Sequence, residues 1–167
     1  PGGILDVAVE IADMFIDSGP LVWIQDRGAE PEPLVAHKDS QLPADLPMVC
    51  LIDHSSASAS EILAGCLQDT GRAVVVGQHS FGKSKVQTVI ELNDQSALVL
   101  TTAVYLTPKK RDIGEEWAQG KRGVKPDVEL TEAEPDAHVT YQQWHDQQKA
   151  KAVEVLRKQM AGSAAAG

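Results

Sequence analysis

Two hydrophobic periods divide the chain into its elements. From Ile4 to Asp17 apolar residues fall at 4, 5, 7, 8, 11, 12, 15 and 16, with Asp6, Glu10 and Asp13 between them. That is the spacing of a helix with an apolar face. Gly19-Pro20 ends it, because Gly accepts the left-handed turn after a helix and Pro cannot continue one. Leu21 to Gln25 predicts a short strand. Residues 27–47 hold Pro31, Pro33, Pro43 and Pro47, and predict a long loop with a short strand near Leu34-Val35. Loops of that length in a compact domain are often functional.

After Pro47 the run Met48 to Asp53 has the composition of a buried parallel strand. Residues 54–60 are small and polar. Glu61 to Asp69 predicts a helix with Ile62, Leu63, Cys66 and Leu67 on its apolar side, ended by Gly71, and Ala73 to Gly77 predicts a second buried strand. Residues 48–77 therefore form one right-handed βαβ unit. Beyond Gly82 the period becomes two. Val86, Thr88, Ile90 and Leu92 alternate with Gln87, Val89 and Glu91, Asn93-Asp94 is a turn, and Ser96 to Thr107 returns, which is a hairpin. Residues 109–123 read as a loop, Pro126 to Leu130 as a last short strand, Tyr141 to Met160 as a helix, and Ala161 to Gly167 as a frayed tail. The division expected is a core at 1–135 and a C-terminal helix with a flexible tail at 136–167. There is no internal repeat.

At 167 residues the chain has room for one domain with a real core. Its net charge of −9 argues against a nucleic-acid partner, which would select a basic face, and against anionic lipid. No apolar run approaches the roughly 20 residues of a membrane span. Cys50 and Cys66 are too few for a disulfide scaffold and have no metal-ligand spacing, so both read as buried free thiols. No metal or cofactor is implied. The opening Pro1-Gly2-Gly3 reads like the interior of a longer chain.

Gly77 to Ser84 matches the phosphate-binding loop G-x-x-x-x-G-K-[ST] letter for letter and follows a strand. That loop works by presenting the N-terminal amides of the next helix to phosphate. Here the next residues have strand period, and the candidate metal-binding aspartate, Asp53, precedes the loop. Nucleotide binding is therefore the lesser reading.

Five pieces in order carry a different chemistry: Pro1-Gly2-Gly3, Ser56-Ala57-Ser58-Ala59-Ser60-Glu61-Ile62, Gln68-Asp69-Thr70-Gly71-Arg72-Ala73, Phe81-Gly82-Lys83-Ser84-Lys85-Val86-Gln87 and Pro126-Asp127. Together they resemble the carboxy-terminal processing peptidases, or tail-specific proteases, over residues 1 to about 130. The resemblance implies an α/β fold of the crotonase-like or ClpP-like type, a spiral of βαβ units with an added β-hairpin. It implies a serine endopeptidase that cleaves protein substrates near their C-termini through an acyl-enzyme, with Ser58 as nucleophile, Lys83 as general base and Gln87 holding the lysine. The oxyanion hole would use the N–H of Ala59 and one in the Gly2-Gly3 turn. The family also implies a setting outside the cytoplasm (periplasm, cell envelope or thylakoid lumen). Its members usually carry a PDZ domain, to which nothing here corresponds, and usually have Gly and a small or hydroxyl residue where this chain has Ser84 and Lys85.

The residues support that assignment independently. Ser58 sits at a strand-to-helix turn between alanines that let a peptide approach, and the Ala59 N–H opens the helix at the positive end of its dipole. One such oxyanion donor is worth about 3 kcal/mol of barrier. A lysine acts as base only when neutral, and its free pKa of about 10.4 must be lowered by desolvation. Phe81 and Val74 to Val76 are the expected apolar surroundings. If the strand begins before Lys83, Gln87 shares its face. Competing readings are Ser56 or Ser60 as helix caps, Lys85 as the base, and a Ser-His-Asp triad through His54 and Asp53. Glu61 reads as a first-turn helix charge, Asp69 as a partner of Arg72, and Trp23, Trp117 and Trp144 as packing. A non-catalytic scaffold or peptide-binding domain of the same fold is the alternative function, and assembly into a homo-oligomer would bury an exposed sheet edge.

Overall fold

A computed structural model describes residues 1–37, 42–116, 118, 120–130 and 140–165. Among these described residues ten elements follow in order: α1 (Leu5–Asp13), β1 (Pro20–Asp26), β2 (Glu32–Val35), β3 (Val49–Ile52), α2 (Ala59–Asp69), β4 (Val74–Gly77), β5 (Lys85–Glu91), β6 (Ala97–Leu106), β7 (Val128–Glu129) and α3 (Tyr141–Ala165). They make two sheets. One is antiparallel, in the order β2-β1-β6-β5, and the other is parallel, in the order β3-β4-β7. The molecule is thus α/β with an added hairpin. β3-α2-β4 is the expected βαβ unit, with Val49 opposite Val74 and Ile52 opposite Gly77.

α2 lies between two cores. Cys66 and Leu67 join Ala12, Ile16, Leu21 and Ala73, while Ala64 joins Ile52, Val75, Ile113 and Val124. Burying each large aliphatic side chain in these clusters contributes roughly 1.5–3 kcal/mol. The helix therefore holds its first turn, where the candidate serine sits, against both sheets. Gly77 is tight: any Cβ there would run into the Ile52 carbonyl.

The final Pro126-Asp127 has a structural role. The Asp127 carboxylate accepts the Val75 N–H (2.8 Å) and Gln68 Nε2 (2.9 Å), and its own N–H donates to the Val75 carbonyl (2.8 Å). These bonds seat β7 beside β4. α3 lies against β3 and β4 and buries Trp144, Gln148 and Ala152, which share one face at i, i+4 and i+8. The expected tail is helical as far as Ala165, while its last two residues, the 135/136 boundary and Trp117 lie outside the described residues.

One expectation is corrected here. The expected Asp69–Arg72 pair is not made. Arg72 donates to the carbonyls of Phe15 (3.1 Å), Leu46 (2.8 Å) and Pro43 (3.2 Å), clamping the proline-rich loop. Asp69 instead pairs with Arg111 and accepts the Lys109 N–H (3.0 Å). The period-two pattern of the hairpin predicted its strands, but Val89, Ile90, Leu98, Val99 and Leu100 remain exposed. Residues 85–91 are β5, the strand expected in place of the helix that a phosphate loop needs. Among the described residues, no helix is long and apolar enough to cross a membrane.

Candidate functional site

Ser58 is the residue on which the chain turns from β3 into α2. Its backbone takes φ 58° and ψ −121°, a left-handed conformation that costs a non-glycine residue about 1–3 kcal/mol and persists only when its surroundings impose it. A buried carboxylate supplies much of that constraint. Glu61 is fully buried. Its Oε2 accepts the N–H of Ser58 (2.7 Å) and the N–H of Lys83 (2.9 Å). Its Oε1 accepts the Ser80 hydroxyl (2.5 Å) and the N–H of Gly82 (2.6 Å). One oxygen therefore holds the backbones of both Ser58 and Lys83, residues 25 apart in sequence. The sequence reading assigned Glu61 only a helix-end charge. The signal it passed over is Ser58-x-x-Glu61, the capping-box spacing, in which the glutamate reaches back to the first amide.

The same bonds explain why a phosphate-loop sequence holds no phosphate site. The amides of Gly82 and Lys83 are given to Glu61, that of Gln78 to the Ile52 carbonyl (3.1 Å), that of Ser80 to Val124 (3.2 Å) and that of Phe81 to Ser56 (2.9 Å). The anion in this loop is the protein's own.

The rival serines are occupied elsewhere. The Ser56 hydroxyl exchanges bonds with Asp53, accepting its N–H (3.1 Å) and donating to its Oδ1 (3.3 Å), and the Ser60 hydroxyl donates to the Pro1 carbonyl (3.2 Å). Neither caps α2, whose N-cap is Ser58 itself. The Ser-His-Asp triad is not formed: Asp53 accepts the amides of Ser55 and Ser56, while His54 Nδ1 faces the His79 carbonyl at 2.9 Å.

Gly2 lies on the Ser58 turn. A Cβ on it would stand 2.5 Å from the Ala57 carbonyl oxygen, 2.8 Å from Ser58 Cβ and 3.0 Å from the Ala59 nitrogen. Only glycine fits. The Ala59 N–H is the first of α2, where no intrahelical acceptor exists. At Gly3 a Cβ would meet nothing within 4 Å.

The lysine side differs from expectation. Phe81 is 65% exposed, Val75 and Val76 face the core, and the Lys83 side chain is exposed, so the expected apolar surroundings do not enclose it. β5 begins at Lys85, two residues after Lys83, and its register with β6 shifts between Val86 and Gln87. Strand parity therefore does not carry from Lys83 to Gln87, and Gln87, like Lys85, is exposed. Ser84 is buried, with its hydroxyl packed where Gly114 lacks a side chain, so the added hydroxyl is accommodated opposite a glycine. Burial pushes the Cys50 thiol to about 11 and Cys66 to about 12, which makes both poor nucleophiles.

Residues 1–130 match the profile of peptidase family S41. The chain is 40% identical over 141 residues to a carboxy-terminal-processing protease of Bartonella bacilliformis, covering 84% of this chain and 31% of that protein. It is 37% identical over 161 residues to a carboxyl-terminal-processing protease of Picosynechococcus, covering 96% and 37%. Among solved structures, a photosystem II D1 C-terminal processing protease superposes with a TM-score of 0.68 at 40% identity, over 78% of this chain and 32% of that one. The chain thus spans 31–37% of the length of these relatives.

Proposed function

The chain belongs to peptidase family S41, and from that premise we propose that it carries the nucleophile and base of a serine endopeptidase that cleaves protein substrates near their C-termini. The observation that carries the reading is the single buried carboxylate oxygen shared by the amides of Ser58 and Lys83, which couples a strained serine turn to the loop bearing the lysine. In this reading Ser58 Oγ attacks the scissile carbonyl and passes its proton to Lys83 Nζ. The tetrahedral oxyanion is held by the Ala59 N–H and by an N–H of the Gly2-Gly3 turn. Lys83 then protonates the leaving amine as the acyl-enzyme forms, and water attack releases the product by the reverse proton path. Gln87 orients the amine. Lys83 is exposed here, so in this reading the bound substrate supplies the desolvation that a neutral lysine needs. The reading extends to an extracytoplasmic setting, in line with relatives such as a chloroplastic carboxyl-terminal-processing peptidase of Arabidopsis thaliana.

The exposure of Lys83 favours a second reading, a peptide-binding scaffold that has kept the fold. Labelling by a fluorophosphonate separates the two. The catalytic reading expects Ser58 to be modified, labelling to be lost in Ser58→Ala, and labelling to fall sharply in Lys83→Ala. Hydrolysis of casein should require both residues. An unlabelled Ser58 would favour the scaffold.

A further inference from the structure

Beside the serine turn lies a cavity of about 350 Å³ bordered by His54, His79, Ser80, Phe81, Gly120 and Arg122. It adjoins the reaction centre through named bonds. Ser80 donates to Glu61, which holds Ser58, and the Phe81 N–H donates to Ser56, two residues before Ser58. Its walls are firm. His54 Nδ1 faces the His79 carbonyl (2.9 Å) and His79 Nδ1 faces the Ser80 carbonyl (3.1 Å), so each Nδ1 carries the proton, and the rings touch at a 60° tilt with centroids 4.3 Å apart. Arg122 is fixed at its root, because its Cβ occupies the space that a side chain at Gly82 would need.

The chemistry of the lining is one-sided. In a molecule of net charge −9, the described lining residues include a guanidinium and two imidazoles but no carboxylate. Glu129, which interacts electrostatically with His79, is itself paired with Lys121 at 2.9 Å. An arginine presents parallel N–H donors that fit a carboxylate in two-point contact, and the exposed Phe81 ring gives the mouth an apolar lip. The neighbouring loop amides cannot compete for the anion, since Glu61 already occupies them.

We propose that this cavity is a substrate subsite that receives a carboxylate of the bound peptide on Arg122. The proposal rests on the hydrolase reading, because that reading is what brings a peptide to this face. The carboxylate is either the peptide's C-terminus or an acidic side chain, and the test tells these apart.

In the Ser58→Ala chain, which leaves peptides intact, anisotropy would follow three fluorescein-labelled hexapeptides. They are one with a free C-terminal carboxylate, its C-terminal amide, and that amide carrying one glutamate. Loss of the recognised carboxylate should weaken binding about tenfold, equivalent to roughly 1.4 kcal/mol. The preference should shrink to within about twofold when Arg122→Gln, which keeps Cβ, is added. Lys158→Gln, a same-charge control on α3, should leave it unchanged. Preference for the free C-terminus or for the glutamate identifies the source. Equal affinity for all three, a preference that survives Arg122→Gln, or no binding up to millimolar peptide would overturn the proposal. Fluorophosphonate labelling of Ser58 in the parent chain is read separately. Labelled Ser58 without the preference rejects the subsite alone, and unlabelled Ser58 rejects the hydrolase reading.

Discussion

Glu61→Gln is the sharpest perturbation of the site, because it keeps the shape and removes one acceptor. The carboxylate accepts two hydrogen bonds at each oxygen. If the new NH2 replaced Oε2, it would face two backbone N–H groups that can only donate. The less costly orientation replaces Oε1. There the Ser80 hydroxyl, which already accepts the Val124 N–H (2.7 Å), can turn to accept, but the Gly82 N–H loses its partner. One buried unsatisfied donor costs about 1–3 kcal/mol. The bonds that survive pass from charged to neutral, at roughly half their strength, adding ~1–2 kcal/mol. The expected loss is therefore about 2–5 kcal/mol of the 5–15 typical of a domain. Urea unfolding measures it. The rate of fluorophosphonate labelling under native conditions measures the second consequence, since a relaxed Ser58 turn should label at least about tenfold more slowly. A Gln variant within 1 kcal/mol of the parent, labelled at the parent's rate, would show that Glu61 does not hold the site, and the coupling argument would be refuted.

Gly2→Ala should abolish Ser58 labelling while costing little overall stability, because the clash falls on Ser58 and Ala59 at an exposed chain segment; labelling and thermal melting together read this. Gly114→Ala should destabilise the chain by about 1–3 kcal/mol through collision with the Ser84 hydroxyl, and adding Ser84→Gly should restore most of the loss, a non-additivity that a double-mutant cycle measures. Neither thiol should react appreciably with DTNB at pH 8 in the folded chain, and two equivalents should react on denaturation. Because burial raises both thiol pKa values, the unfolded chain loses these protons first, so stability should fall as pH rises from about 9 toward 11–12. Arg72→Ala should release its grip on the Pro43 and Leu46 carbonyls and speed hydrogen exchange in residues 42–47 without altering Ser58 labelling.

The sequence by itself determined the elements and nominated the candidate chemistry-bearing residues. Period in the side chains depends only on local backbone geometry, so α1, the βαβ unit, the hairpin and α3 could be read directly, within a few residues at their ends. The order of the five motifs pointed to Ser58 and Lys83 for the same reason: each sits at a fixed spacing within a short segment. What the tertiary structure decided is what distant segments do to one another. No local pattern says that Glu61, a helix-end charge by its position, is closed over by the loop at 80–83 and becomes an internal anion. Nor does one say that the phosphate-loop letters are spent on it, because the loop's amides find their partner only once α2 and β4 have packed. Arg72 and Asp69 are close in sequence yet part, because carbonyls from residues 15, 43 and 46 and the guanidinium of Arg111 offer each a better-placed partner. Strand parity between Lys83 and Gln87 failed for a related reason. Where β5 starts and where its register slips are set by pairing with β6, and pairing between strands is a property of the fold rather than of either strand alone.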